Sequence, residues 1–228
     1  MENNIIPSTL EEAIEILKKD NSNNEDIQPI FVGMGIRNGW GLWKGSKLAQ
    51  WFYRKNIYHA DDMSGIIIEN IANGLNSLTF GFLEYHQVIE KIAAYIKEDA
   101  DSVYKIIVGS DSEARTGDVD FVTAIIVHRL GKGGIYFWRK QKIPNQYNMH
   151  QRIGHETQLS LELAWKIRDS FQHNGLSGYE PEVHIDIGLI GVSRDMVKWV
   201  TGMVLGSGFA YKIKPESFAA STVADRYT

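Results

Sequence analysis

Residues 105–143 read KIIVGSDSEARTGDVDFVTAIIVHRLGKGGIYFWRKQKI. Three stretches within it, KIIVGSD, DFVTAIIVHRL and GIYFWRKQKI, are dense in β-branched and aromatic residues, which suit a pleated, half-buried surface. Gly131, Lys132, Gly133 and Gly134 separate the second stretch from the third, so that pair reads as a hairpin. Working outward, a long helix is expected from about Met149 to Gln172. PEVHIDIG (181–188) is a fourth strand, and DMVKWVTGMVLGSG (195–208) a helix closed by glycine. AYKIKP (210–215) is a fifth strand, stopped by Pro215, and SFAASTVADRY (217–227) a last helix. The order β-β-β-α-β-α-β-α, a meander leading into α/β crossovers, predicts an α/β fold with a mixed sheet covered on both faces.

Four acids fall at informative places in this string. Alternation puts Ile107, Gly109 and Asp111 on one face of the first strand, with Asp111 at its end. On the fourth strand Val183, Ile185 and Ile187 share one face, and His184 and Asp186 the other. Aspartate is depleted from strands, so Asp186 inside one is notable. Glu156 is followed at helical spacing by Ser160, Leu163 and Ile167, which places it at the core-facing end of the long helix. On the last helix Ser221 and Asp225 stack at i, i+4, and Ala219, Ala220 and Ala224 let that helix lie close to the sheet. Carboxylates on apolar surfaces are costly to bury unless neutralised, and a divalent cation does this. Taken singly, each has a plainer role: Asp111 as a turn residue, Glu156 as a partner of the helix dipole, Asp225 as a solvated side chain.

The N-terminal third has a different texture. A helix is expected from Thr9 to Lys19, with Ser8 as N-cap and Glu11 at the capping-box position. The polar linker NSNNED follows, then the Trp/Gly-rich segment PIFVGMGIRNGWGLWKG (29–45) and a helix in KLAQWFYRK. Asp61 or Asp62 could cap a helix running to about Ala72. EYHQVIEKIAAYIKED (84–99) is amphipathic, with Val88, Ile92 and Tyr95 on one stripe. The boundary falls between Leu75 and Phe80, giving a small, mainly α-helical module (1–78) and the α/β domain (79–228). Trp40, Trp43, Trp51 and Phe52 read as a small core in preference to a base-stacking platform.

The chain has 228 residues, 43% hydrophobic and 23% charged, the composition of a globular protein. No apolar run reaches the length of a membrane span, and the N-terminus lacks a basic and apolar leader, so a cytoplasmic location with no membrane partner is expected. The absence of cysteine excludes disulfides, thiolate metal sites and a cysteine nucleophile. A net charge of −4 argues against non-specific coating of nucleic acid as the main task.

GSDSE (109–113), HETQLS (155–160), HIDIG (184–188) and YKIKPESFAASTVADRYT (211–228) together resemble the ribonuclease H-like YkuK family, over about residues 80–228. The resemblance implies the ribonuclease H fold and a nuclease acting on RNA, RNA-DNA hybrid or DNA. It implies that Asp111, Glu156, Asp186 and Asp225 bind two Mg²⁺ or Mn²⁺ ions, with Asp111 bridging them. Two such ions ~4 Å apart activate a water and stabilise the leaving oxygen of a phosphodiester. The alternative is a catalytically silent nucleic-acid-binding or scaffolding protein on the same fold; Gly131–Gly134 only faintly echoes a phosphotransferase loop.

Weaker candidates surround the acids. Glu113 forms D-x-E with Asp111. His155 and His184 adjoin proposed ligands and could shuttle protons or orient substrate. Lys212 and Lys214 share a face of the last strand and could meet a phosphate. Arg129, Lys132, Arg139, Lys140 and Lys142 make the hairpin basic enough to track a nucleic-acid backbone. Residues 33–68 resemble a small uncharacterised bacterial and phage module with an H-x-D-D-M-S motif, His59 to Ser64. That module could recruit a protein partner.

Overall fold

The computed structural model describes residues 6–21, 34, 36–114, 117–143, 147–188, 196–217 and 220–227. It divides into two compact units, Met1–Gly74 and Leu75–Thr228.

The first unit contains α1 (Leu10–Asn21), a 3₁₀ turn (Leu42–Lys44), α2 (Lys47–Tyr53) and α3 (Ala60–Asn73). Its core is built from Ala13, Ile14, Leu42, Leu48, Phe52, Met63 and Ile67. The caps differ from expectation. Thr9, not Ser8, caps α1: its hydroxyl accepts the Glu12 N–H at 3.3 Å, and the Glu12 carboxylate accepts the Ser8 N–H at 2.7 Å. Glu12, not Glu11, is three residues beyond that cap, which is where the reciprocal bond can form. Asp61 and Asp62 lie inside the first turn of α3 and do not cap it. There the positive end of the helix dipole favours them. Phe52 is fully buried, but Trp43 is 54% exposed and meets His59 edge-on. The core therefore takes the phenylalanine and leaves that tryptophan outside. Most of the NSNNED linker and the start of the Trp/Gly segment (22–33 and 35) lie outside the described residues.

The second unit begins with a short hairpin, β1 (Leu75–Ser77) and β2 (Gly81–Leu83), in the stretch expected to be the boundary. Three-residue strands are too short to show a period. They are held because β1 docks on the large hairpin, Asn76 opposite Trp138. Then come α4 (Tyr85–Lys97), β3 (Tyr104–Ala114), β4 (Val119–Arg129), β5 (Gly133–Ile143), α5 (Met149–His173), β6 (Pro181–Ile185), α6 (Val197–Gly206) and β7 (Ala210–Lys212). The chain ends in a π turn, Ala220–Ala224, and a 3₁₀ turn, Asp225–Tyr227, where a single regular helix was expected. This winding puts Val223 and Ala224 into the sheet contact and lays Tyr227 over Trp138 at 3.9 Å. Phe218 and Ala219 lie outside the described residues.

The sheet has seven strands in the order β2-β1-β5-β4-β3-β6-β7. β3 pairs antiparallel with β4 and parallel with β6, and β6 pairs parallel with β7. The two faces of β3 go to different partners. Ile106 and Val108 join Ile125, Val127 and Phe137 in the main core under α4, α5 and α6. Ile107 joins Ala124 and Ile126 against Val223 of the C-terminal turns. The mixed α/β sheet is thus covered on both faces, as the element order requires. Helix α5 presents Ile153, Glu156, Ser160, Leu163, Ile167 and Phe171 inward at helical spacing. Asn148 caps it, its side chain accepting the Gln151 N–H at 2.9 Å.

Candidate active site

Parallel pairing brings the C-terminal parts of β3 and β6 together: Gly109 lies opposite His184, and Ser110 opposite Ile185. β3 runs three residues past Asp111, to Ala114, so Asp111 is a residue of the strand and does not end it. β6 instead stops at Ile185, and Asp186 is the first residue beyond it. Hence the cost of aspartate within a strand is never incurred. Asp186 is offered from a strand end, where the backbone is free to turn.

The carboxylates influence one another. Burial pushes Asp111 up to about 6, and the charges of Asp186 and Asp225 push the same way, against the Ser112 N–H and Arg152. Burial pushes Glu156 up to about 7, with Asp111 and Asp186 adding to it; the Ser112 hydroxyl and Arg152 oppose. Asp186 and Asp225 thus each act on Asp111, and Asp111 and Asp186 each act on Glu156. Their exposure is graded: Glu156 is buried, Asp111 and Asp186 are half-buried, and Asp225 is exposed.

Two cations border these acids. Lys214 Nζ is 2.9 Å from Asp186 Oδ2, and its protonation is favoured first by that bond, then by the charges of Asp186, Asp111 and Asp225. The other Asp186 oxygen, Oδ1, is buried without a partner among the described residues. The Lys214 N–H donates to the Ile187 carbonyl at 2.8 Å, which fixes the lysine next to Asp186. On the opposite side Arg152 donates to the Ser112 hydroxyl at 2.8 Å and also to its carbonyl. Ser112 in turn donates to Glu156 Oε1 at 2.5 Å. Below them the hydroxyls of Ser160, Ser110 and Thr123 form a buried chain at 2.9 and 3.0 Å.

Arg152 and Ser112 are the residues that sequence reasoning missed. Arg152 stands one helical turn before Glu156, a spacing that was available, and Ser112 follows Asp111 in GSDSE.

The weaker candidates disperse. His184 is buried and bonded through Nε2 to Glu182 Oε1 at 2.9 Å; burial holds its pKa down. It therefore faces Glu182 and not a substrate. His155 packs edge-on to Phe121 at 4.7 Å and is also pushed down by burial. Lys212 is bound to Glu216 at 2.5 Å, and β7 ends there, so Lys214 lies past the strand that was to pair it with Lys212. Glu113 is exposed near the end of β3, opposite Asp120. The basic hairpin is neutralised within the protein. Lys132 pairs with Asp99 at 2.6 Å, Lys140 with Asp120 at 2.9 Å, and Lys142 with Asp118 at 3.2 Å. Arg129 lies over Tyr95 at 4.2 Å and Arg139 is buried. The hairpin thus keeps little charge to spend on a phosphate backbone.

A mixed sheet in this order, followed by turns that pack on its second face, defines a ribonuclease H-like domain. The chain belongs to the Ribonuclease H-like family, whose profile matches residues 87–228. Residues 22–75 match a profile described as a domain of unknown function (DUF6794). The uncharacterized protein YkuK of Bacillus subtilis (strain 168) is 29% identical over 157 residues, 64% of this chain and 91% of that protein. Two solved structures align over 54% of this chain. One is the N-terminal RNase H domain of Rv2228c from Mycobacterium tuberculosis, a fusion with maltose binding protein (93% of that chain, 16% identity, TM-score 0.31). The other is RNase H1 from the halophilic archaeon Halobacterium salinarum NRC-1 (96%, 14% identity, TM-score 0.32).

The donor chemistry of these acids suits a hard divalent cation. The donors are carboxylate oxygens, two of the carboxyls are pushed toward neutrality by burial, and Asp186 Oδ1 is buried without a partner among the described residues. As placed, no three acidic or histidine side chains among the described residues stand close enough to hold an ion. No helix among the described residues is long and apolar enough to cross a membrane.

Proposed function

We propose that this protein is a metal-dependent nuclease that hydrolyses phosphodiester bonds in RNA, RNA-DNA hybrid or DNA. The observation that carries the reading is the electrostatic influence of Asp186 and Asp225 on Asp111, and of Asp111 and Asp186 on Glu156, within a ribonuclease H-like domain. Two Mg²⁺ or Mn²⁺ ions supply there an activated water and a Lewis acid for the leaving oxygen. The chain's own part is to hold its carboxylates oriented. Ser112 fixes one oxygen of Glu156, and Arg152 fixes Ser112. Asp111, which is half-buried, would be the ligand shared by both ions. Asp225, exposed on the C-terminal turn, is the most easily lost.

Among the described residues of the N-terminal module no acid cluster could hold a metal ion. Its Arg37–Asp61 ion pair at 3.0 Å and Arg37–Ser64 bond at 2.9 Å tie Arg37 to the H-x-D-D-M-S motif at the start of α3. A role in docking a protein partner is assigned to this module.

A second reading, a silent nucleic-acid-binding scaffold, draws on the spread of the acids as placed. The two separate in one assay: labelled RNA, DNA and hybrid incubated with Mg²⁺, Mn²⁺ or chelator. The nuclease reading expects cleavage that needs the metal and disappears in Asp111→Asn and Asp186→Asn proteins that still fold. Metal-dependent cleavage persisting equally in both variants would overturn the site. Salt-sensitive binding without turnover is the outcome for the scaffold.

A further inference from the structure

The N-terminal module leaves two large rings outside its core. In the 3₁₀ turn Leu42–Lys44 the flanking Gly41 and Gly45 are left-handed, with φ of 62° and 67°. The turn they bracket sinks Leu42 into the core and leaves Trp43 54% exposed beside Lys44. After α2, Asn56 takes φ 61°, a conformation that asparagine tolerates. Tyr58 then stacks on Tyr53 with centroids 5.7 Å apart, yet stays 66% exposed. The next residue, His59, meets Trp43 edge-on at 5.4 Å. Tyr58 and His59, adjacent in the chain, thus join two ring pairs into one aromatic strip.

The charge along this strip has one sign. From Ile27 to Ala60 the chain carries Arg37, Lys44, Lys47, Arg54 and Lys55, and no aspartate or glutamate. The first acids to follow are Asp61 and Asp62 at the start of α3, and Asp61 is held by Arg37 at 3.0 Å. Lys55 lies over the Trp51 ring at 4.5 Å. Lys44, Lys47 and Arg54 are exposed and make no ion pair among the described residues. The lysines of the β4–β5 hairpin, by contrast, are neutralised by Asp99, Asp118 and Asp120.

We propose that this strip binds single-stranded nucleic acid, beside any protein partner the module docks. Bases stack on Trp43 and Tyr58, and phosphates meet Lys44, Lys47 and Arg54. Exposed rings set among cations are the means by which a protein holds a single strand, since every base has a face to stack. A duplex keeps those faces covered, so the single strand is the form that fits. Charge complementarity points the same way: the centre of a protein-docking patch is depleted of charge, whereas these rings are interleaved with unpaired cations. The binding needs no metal and does not rest on the acids of the ribonuclease H-like domain.

The test is fluorescence anisotropy of labelled oligo-dT, oligo-rU and a dT·dA duplex with the full chain in chelator. Both single strands are expected to bind more tightly than the duplex. Trp43→Ala and Tyr58→Ala are each expected to weaken single-strand binding by roughly 5- to 100-fold. Circular dichroism should be unchanged, because both rings lie outside the core. Trp43→Phe keeps a stacking face and should retain most of the affinity. Lys44→Gln combined with Arg54→Gln should lower the slope of log affinity against log salt by about 1.4. Lys132→Gln, on the neutralised hairpin, should bind as wild type. Should Trp43→Ala not fold, Tyr58→Ala carries the expectation. Wild-type affinity in both alanine variants, or no single-strand binding by wild type, would overturn the proposal and leave the surface to a protein partner. Loss of affinity in Lys132→Gln alone would place the strand on the hairpin and overturn it too. Neither result bears on metal-dependent cleavage, which is read in a separate assay.

Discussion

Lys214 and Asp186 form an ion pair at 2.9 Å in which only one carboxylate oxygen is used; the other is buried and without a partner. The pair joins two segments that each lie just past a strand end, after β6 and after β7. Strand ends are where a sheet can present side chains without sacrificing ladder hydrogen bonds. The parallel pairing of β3, β6 and β7 puts these ends on one edge of the sheet. This edge is the centre of the proposed chemistry.

Ser112 orients Glu156 through a 2.5 Å hydrogen bond and is itself held by Arg152. Ser112→Ala removes this support without removing a carboxylate. It is expected to weaken Mg²⁺ or Mn²⁺ affinity by roughly 10–100-fold, the usual effect of losing an outer partner of a ligand. A calorimetric titration of the purified variant checks this, with unchanged circular dichroism as the control for folding.

Acid–base linkage gives a second expectation. Asp111 rises from 3.8 to about 6, and Glu156 from 4.5 to about 7, both mainly by burial. The folded protein then binds more protons than the unfolded chain between these limits. The contribution of these groups is fully present below the unfolded values and is lost as pH rises through about 6 to 7. In chelator, therefore, the melting temperature should fall from pH 5 to pH 8 (assay range, about one unit either side of these values). Glu156→Gln should flatten this slope, and saturating Mg²⁺ should reduce it. A melting temperature in chelator that climbs over the same range would contradict the burial of these carboxyls.

How much of this was visible in the chain depended on length and period. The strands β3, β4 and β5 are eleven residues each, and their alternation and glycine-rich turn are plain in the sequence. The β1–β2 hairpin was not visible, because three residues cannot show alternation and the pairing with Trp138 is a long-range event. Asp111, Glu156 and Asp186 stood out as acids on apolar elements. Ser112 and Arg152 did not, since their roles arise only when β3 and α5 pack. The hairpin lysines looked available for nucleic acid, and it is the fold that brings Asp99, Asp118 and Asp120 to them. His184 looked like a companion of Asp186 by alternation, yet burial and Glu182 take it out of the centre.

The C-terminal turn depends on an aromatic contact. Tyr227 stacks on Trp138 with centroids 3.9 Å apart and rings inclined by 11°, and its hydroxyl meets that of Tyr136 at 3.0 Å. Asp225 lies two residues earlier. Tyr227→Ala is expected to cost about 1–2 kcal/mol in local stability from the lost stacking and burial. It should also weaken Mn²⁺ binding by loosening Asp225. Tyr227→Phe keeps the stack and should behave nearly as wild type. Mn²⁺ titrations of the two variants decide this, and equal affinity in both would separate Asp225 from the site.

The central claim is that Asp111 and Asp186 hold catalytic divalent ions. Crystals soaked in Mn²⁺ and measured near the manganese absorption edge test it most directly. The account predicts anomalous density bonded to Asp111 and to Asp186. Saturated crystals with no anomalous density at these carboxylates would contradict it.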